Sequence, residues 1–372
     1  MKVVPFRVHL QLPHAHTINW YIRKLGCDIK LEVERFHDLD MRRNILSVYR
    51  KILQDNKCRC YCSHRHRLTN GEVQKKRVAL FDGEKERQMS MIRRIEKISV
   101  EYRGVPEECT LIMNKGLSTP FNCAMHLQEL LMRRSVVALV NGELWDMHRP
   151  LTEDCELTFL HFEDEDPRLV NKVFWRACSF ILGYVLERAF KDNHHVQLCS
   201  FPPPDVKSGS FVYDADLDLP NWQPTQMELN CLSRIGTRLQ HEDLKFDRLE
   251  VKASLASEMF EDNRFKSEQI PEIAAQSGRV TLYRLGDHID ISKGPMMSTT
   301  AHLARYTVTA VHDVESDKYG PLKRVQGLAI PQQLNLHYWT YNKLVNRASK
   351  LNTKHLLGHP VNTDQHRQEA SK

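Results

Sequence analysis

Val136-Val137-Ala138-Leu139-Val140-Asn141-Gly142-Glu143-Leu144-Trp145-Asp146 reads as a buried strand, a tight turn and a returning strand. A short continuous apolar run fits a strand covered on both faces, and Asn-Gly is the dipeptide of two-residue hairpin turns. Upstream, Ile98-Ser99-Val100-Glu101-Tyr102 alternates with period 2, and Cys109-Thr110-Leu111-Ile112-Met113 reads as its hairpin partner. Between them Thr119-Pro120 opens a helix, with proline in its first turn, running through Ala124, Leu127, Leu130 and Leu131. Leu157-Thr158-Phe159-Leu160 supplies a last strand. A strand hairpin, a helix and further strands within residues 97–163 make a β-grasp arrangement.

At 372 residues the chain is long enough for two or three domains and a core that needs no disulfides. Its 41% hydrophobic and 27% charged residues are those of a globular rather than a disordered protein. No apolar run of membrane-spanning length stands out in the sequence, so no membrane span is expected. A formal charge of +6 suits a polyanionic partner such as RNA without requiring one. Ten cysteines without regular spacing point to reduced thiols in an intracellular compartment.

Residues 1–40 contain Asp28, Glu32, Glu34, Asp38 and Asp40 and read as an upstream extension, with Met41 the usual initiator. Between Met41 and Arg67, Asp55 is the only acid among eight lysines and arginines, and Ile45, Val48, Ile52 and Leu53 recur at helical spacing. An amphipathic, arginine-rich, acid-poor segment over 41–66 has the make-up of a mitochondrial presequence. Cys58-Arg59-Cys60-Tyr61-Cys62-Ser63-His64-Arg65-His66 is spaced more tightly than zinc sites favour, and no metal is assigned to it. Residues 67–96 form a charged helical arm with a thin apolar edge of Val73, Arg77, Leu80 and Phe81. Such an arm either orders on a partner or remains a solvated linker helix.

Val136 to Asp146, followed by Leu151-Thr152-Glu153-Asp154-Cys155-Glu156-Leu157, resembles the TGS domain, a β-grasp module shared by threonyl-tRNA synthetase, a GTPase family and the stringent-response synthetases. The resemblance implies RNA or ribosome association and no chemistry of its own. No phosphate-binding loop accompanies it. Residues 164–331 resemble the editing domain of threonyl-tRNA synthetase. The match runs through a helix from Val173 to Phe190, the glycine-led strand Gly209 to Asp214, a helix from Pro224 to Leu239, the strand Gly278 to Leu285 and a closing strand Lys323 to Ala329. The fold class is therefore α+β: a TGS β-grasp domain, a degenerate editing-type domain, a helical N-terminal arm and a basic C-terminal helix.

The editing family carries a His-x-x-x-His pair on its first helix and a Cys-x-x-x-His pair near a Gly-Pro turn. Imidazole and thiolate there can ligate a metal or position a hydrolytic water. In this sequence the matching positions are Arg176 and Phe180 on the helix, and Ser292 and Met296 around Gly294-Pro295. Arginine stays protonated and is neither base nor ligand, phenylalanine has no lone pair, serine is a poor ligand and methionine is a soft one. Four such replacements imply a vestigial pocket, with no catalytic residue, metal, cofactor or small-molecule substrate. His288, Asp290 and His302 lie close by in sequence and are read as surface or hydrogen-bonding residues.

Residues 332–372 form a basic tail. No acid occurs from Pro331 to Thr363, and Lys343, Arg347, Lys350 and Lys354 follow 4, 3 and 4 spacings, which places them on one helical face as candidate RNA contacts. Tyr338, Trp339 and Tyr341 precede them, and Asp364 to Lys372 reads as disordered. About forty residues follow position 331, where a synthetase would continue into its aminoacylation domain. Over residues 70–355, including the arm Ala79 to Gln88, the chain resembles a family of mitochondrial large-ribosomal-subunit proteins related to threonyl-tRNA synthetase. That resemblance implies a structural component of the mitochondrial ribosome in the matrix, with large-subunit proteins and ribosomal RNA as partners. Two readings from other classes are a TGS-type RNA-binding regulator outside the ribosome and a trans-acting aminoacyl-tRNA deacylase, the second of which needs an intact His or Cys pair.

Overall fold

The computed structural model describes residues 68–356 in full, and the backbone alone of Arg23–Leu25 (β1), Asp28–Lys30 (β2) and His359–Pro360. β1 and β2 pair antiparallel. The presequence, the Cys58 to His66 run and Asp364 to Lys372 lie outside the described residues. The described residues from Leu68 onward belong to one compact unit.

The Val136 to Asp146 stretch forms β5 (Val137–Val140) and β6 (Glu143–Trp145), joined at Asn141 and Gly142, whose φ values of 50° and 80° suit the Asn-Gly pair. They sit in a five-stranded sheet with β3 (Lys97–Tyr102), β4 (Cys109–Asn114) and β7 (Cys155–Leu160), in the order β4-β3-β7-β5-β6. Only β3 and β7 run parallel. The expected single helix is two. α1 (Asn70–Ser90) precedes the sheet; α2 (Pro120–Leu127) starts at a capping box of Thr119 and Asn122, and α3 (Glu129–Arg134) follows it. Between the last two, Gln128 is extended, with φ −163° and ψ 139°. That break re-aims the chain: Leu131 stays buried in the core with Val100 and Leu157, while Leu130 is turned out to 54% exposure.

The second domain is built on α4 (Arg168–Ala189), which begins five residues before the expected Val173. β8 (Gln197–Ser200), β9 (Phe211–Asp216), α5 (Gln226–Glu242), β13 (Leu303–Ser316) and β14 (Gly320–Pro331) follow. With His359–Pro360 as β15, the sheet order is β15-β13-β14-β9-β8, antiparallel throughout. The strand expected to close the domain is thus central in the sheet. α4 and α5 cover it through Phe174, Ala177, Ile181, Leu232, Leu239, Tyr306 and their neighbours. Gly236 permits the close approach, since a Cβ there would stand 2.3 Å from Tyr306 Cδ1. By length and composition α4 could cross a membrane, contrary to the reading that no run was long enough. Nearly three quarters of that stretch is buried inside the protein, so its apolarity is that of a core helix.

A smaller antiparallel sheet, β10 (Asp247–Lys252), β11 (Arg279–Leu285) and β12 (His288–Ile291), carries α6 (Ala253–Met259) and α7 (Arg264–Ala274). The arm helix α1 packs on it. Val73, Arg77 and Phe81 recur every four residues, so one stripe is buried, and Phe81 is fully enclosed among Leu249, Met259, Phe260 and Leu282. The arm is therefore neither a partner-dependent segment nor a solvated linker; its thin apolar edge is matched by a core in its own chain. Phe81→Ala should cost about 3–5 kcal/mol through the cavity it leaves, read as a lowered urea midpoint with early loss of hydrogen-exchange protection in α1.

α8 (Tyr338–Ala348) ends at Ser349, and the chain beyond it is drawn onto β14. Gln326 donates to the carbonyls of Ala348 and Lys350, both at 2.9 Å, and accepts from the Asn352 N–H at 2.7 Å. Arg324, fully buried, holds Asp214 with two bonds of 2.7 and 2.8 Å and donates to the carbonyls of Asn352, Lys354 and His355. Arg324→Met should destabilise the fold by about 3–5 kcal/mol because the Asp214 carboxylate is left buried without a partner. Adding Asp214→Leu should recover much of that loss in the same denaturation experiment.

Candidate functional site

Arg176 and Phe180 lie one turn apart on α4, whose remaining faces are held by core residues on both sides of them. Arg176 Nη1 donates to the Pro295 carbonyl at 3.1 Å, so the helix and the turn after β12 are brought together. Phe180 is fully buried, with its ring 4.7 Å from that of His288 and 5.8 Å from that of Phe246. The turn itself, Ser292 to Met296, contains a cis Gly294-Pro295 peptide. Gly294 has φ +67°, and a Cβ there would fall 1.8 Å from the Tyr283 hydroxyl, which explains why glycine stands at this point. The Ser292 hydroxyl accepts from the Gly294 N–H at 3.3 Å. Among the described residues no imidazole or carboxylate bonds to it. Met296 is buried with Phe180 in the main core.

One carboxylate fastens this turn to the β-grasp domain. Asp146, the last residue of the strand-turn-strand stretch, accepts from the Met296 N–H and from the Tyr283 hydroxyl, both at 2.8 Å, with Arg248 Nε at 3.8 Å. Burial pushes the Asp146 carboxyl above its ordinary value, against those donors. Burial also lowers Arg176, and the nearby Tyr283 and Asp146 oppose that fall. The seam continues where Ser298 N donates to Val136 O at 2.9 Å and its hydroxyl to Ser135 O at 3.0 Å.

His288 and Asp290 share a face of β12 and anchor two buried ion networks. His288 Nδ1 lies 2.6 Å from Glu187, whose other oxygen accepts from Arg77 at 2.9 Å. Asp290 holds Lys266 at 2.6 Å and accepts from the Tyr213 hydroxyl. Tyr213, Lys266, His288 and Asp290 are each no more than 2% exposed. Of the expectation that these histidines are surface or hydrogen-bonding residues, the surface half is corrected: His288 is buried and bonds Glu187, and His302, also buried, bonds Ser298 at 2.7 Å. Among the described residues no group of three His, Cys, Asp or Glu side chains is placed to hold a metal ion.

The basic residues of the tail do not share one helical face. Lys343 and Arg347 lie on α8, but Lys350 and Lys354 lie beyond its end. The physical reason is the claim that Gln326 and Arg324 make on the Lys350 and Lys354 carbonyls, which a continuing helix would have used itself. Lys343 sits 3.6 Å above the Trp339 ring, and Arg347 donates to Lys207 O at 3.1 Å.

Sequence reasoning missed Asp146, Glu187, Lys266 and Arg324 as organising residues. Glu187 gave one signal, an acid directly behind the apolar run Phe180 to Leu186; the partners of the other three are too far off in sequence to read.

The fold defines a class: a TGS β-grasp module joined to an α+β scaffold of the threonyl-tRNA ligase type. Residues 106–161 match the TGS domain family. The large ribosomal subunit protein mL39 of Drosophila melanogaster is 48% identical over 293 residues, 78% of this chain and 88% of that protein. The chain belongs to the family of that large ribosomal subunit protein. Cytoplasmic threonine–tRNA ligase 2 of Bos taurus is 31% identical over 225 residues, 60% of this chain and 29% of the ligase. The threonine–tRNA ligase of Thermotoga maritima is 30% identical over 227 residues, 33% of its length. The chain thus spans about a third or less of those two ligases.

Two groups set the acid limb of stability. Burial alone would raise Glu187, but His288 and Arg77 outweigh it and hold its carboxyl down at about 2, against 4.5 for a free one. Burial holds His302 down at about 4, against 6.5. Both folded values are depressed, so each contribution is complete above the free value and lost as pH falls through the folded one. Urea midpoints should be flat above about pH 7, decline from 6.5 toward 4, and fall again between 4.5 and 2. Glu187→Gln should shrink the lower phase, which Glu84 and Asp247 also feed, and leave the upper.

Proposed function

We propose that this chain is a structural component of the large subunit of the mitochondrial ribosome, in the matrix, where a synthetase-derived scaffold without catalysis binds ribosomal proteins and ribosomal RNA. The observation that carries the reading is the match, over 78% of this chain and 88% of the relative, to a protein named for the large ribosomal subunit. The side chains agree with it. A hydrolytic editing site needs lone pairs at four positions, and Arg176, Phe180, Ser292 and Met296 supply no base or metal ligand set. We assign those four to a vestigial editing pocket with no substrate.

Within this reading residues 41–66 act as the presequence and 1–40 as an upstream extension; 67–96 is the arm, 97–163 the TGS domain, 164–331 the editing-like domain and 332–372 the basic tail. Lys343, Arg347, Lys350 and Lys354 remain candidate RNA contacts as charges distributed over the tail rather than as a helical stripe. A free deacylase is disfavoured by the missing His and Cys pairs, and a regulator outside the ribosome by the family.

Sedimentation of mitochondrial lysate through sucrose tests the assignment. The protein should travel with the large subunit at physiological salt and stay with it when monosomes are split into subunits. A protein that remained at the top of the gradient would overturn the reading.

A further inference from the structure

The tail leaves two large aromatic rings in solvent: Tyr338 is 66% exposed and Trp339 62%. Neither belongs to a frayed end. His337 caps α8 by accepting from the Trp339 N–H at 3.2 Å, and Tyr341, three residues into the helix, is buried with its hydroxyl 2.7 Å from Thr307. The loop before the helix is pinned as well, because Gln333 accepts from the Phe162 N–H at 3.2 Å and donates to Arg134 O at 3.0 Å. The rings are therefore presented on a fixed support, and little conformational entropy remains to be lost when something covers them.

Beside them lies an open cleft of about 420 Å³, lined by Ile330 and Leu336 together with Arg305, Gln332, Asn335 and His337. Its floor is apolar and its rim carries amide, guanidinium and imidazole groups. The Lys343 ammonium stands 3.6 Å over Trp339, and the Arg305 guanidinium 5.0 Å over Tyr341. Among the described residues neither cation forms an ion pair. No acid occurs between Pro331 and Thr363 to neutralise them.

Resting on the ribosomal reading, we propose that this face takes a single-stranded or looped segment of RNA, one base stacking on Trp339 and Tyr338 while a neighbour enters the cleft beside Arg305. Aromatic rings supply stacking surface that every base can use. Unpaired cations supply the phosphate attraction, and the amides at the cleft match the hydrogen-bonding edge of a splayed base. A protein partner fits less well, since lysine is depleted where interfaces are most buried. The positive charge of the tail is thereby centred on Trp339 and Lys343, with Lys350 and Lys354 as outlying positives.

The test is fluorescence anisotropy of the full chain with a labelled twelve-nucleotide oligouridylate, and with polyphosphate of equal charge as the comparison. Binding should weaken as salt rises. Trp339→Ala should reduce affinity for the oligonucleotide about tenfold, leave polyphosphate binding unchanged, and keep the wild-type circular dichroism and urea midpoint. Trp339→Phe should restore most of the loss. Equal affinity of Trp339→Ala and wild type for RNA would overturn the inference, as would equal loss toward polyphosphate, or crosslinks from position 339 to a ribosomal protein instead of RNA. Sedimentation of the wild type is a separate readout: it decides the ribosomal reading whatever Trp339 does in the binding assay.

Discussion

Asp146 is a carboxylate enclosed at the seam between the β-grasp sheet and the second domain, and it must find its donors there or destabilise both. It finds them in the Met296 N–H and the Tyr283 hydroxyl, which belong to the turn and the strand that build the old pocket. That arrangement fixes three things together. The 292–296 turn keeps its geometry because one of its N–H groups is committed to the neighbouring domain. Tyr283 has to reach past Gly294, so that position admits no side chain. The two domains then meet in one orientation, reinforced where Ser298 bonds to Ser135 and Val136.

The 292–296 turn is held through its backbone, by the Arg176 side chain at the Pro295 carbonyl and the Asp146 carboxylate at the Met296 N–H. Phe180 puts an aromatic ring against His288 and Phe246, which adds apolar contact between the helix and β12. Arg176 acts as a strut by bonding the turn it faces. The pairs Glu187 with His288 and Asp290 with Lys266 are buried nearby, and burying them is tolerable because each charge faces an opposite one.

Local features were legible in the sequence because their causes are local. The Asn141-Gly142 turn, the Thr119-Pro120 helix start and the alternation of Ile98 to Tyr102 depend on neighbours within a few positions, and each stands where the pattern put it. The apolar edge of the arm was visible too, but not its destination, because nothing in Val73, Arg77 and Phe81 says that Leu249 and Phe260 await them. Spacing alone placed Lys343 through Lys354 on one helix. It failed because Arg324 and Gln326 compete for carbonyls that lie more than twenty residues downstream. The groups that organise the 292–296 turn were hidden by separations of a hundred residues or more, as between Asp146 and Met296.

Stability and contact surface are consequently divided between different parts of the second domain. Its interior charges are paired and enclosed, so they contribute to a single conformation and to the acid limb of stability rather than to recognition. Lys343 and the exposed rings gather instead on α8, with Arg305 beside them on β13, and Gln326, Arg324 and Gln333 clamp the α8 segment to the sheet and to the β-grasp domain. A surface carried on so many fixed bonds cannot adapt its shape to a partner. It can only be complementary in advance, which favours a ligand that is itself adaptable, as an unpaired RNA strand is, over a second rigid protein.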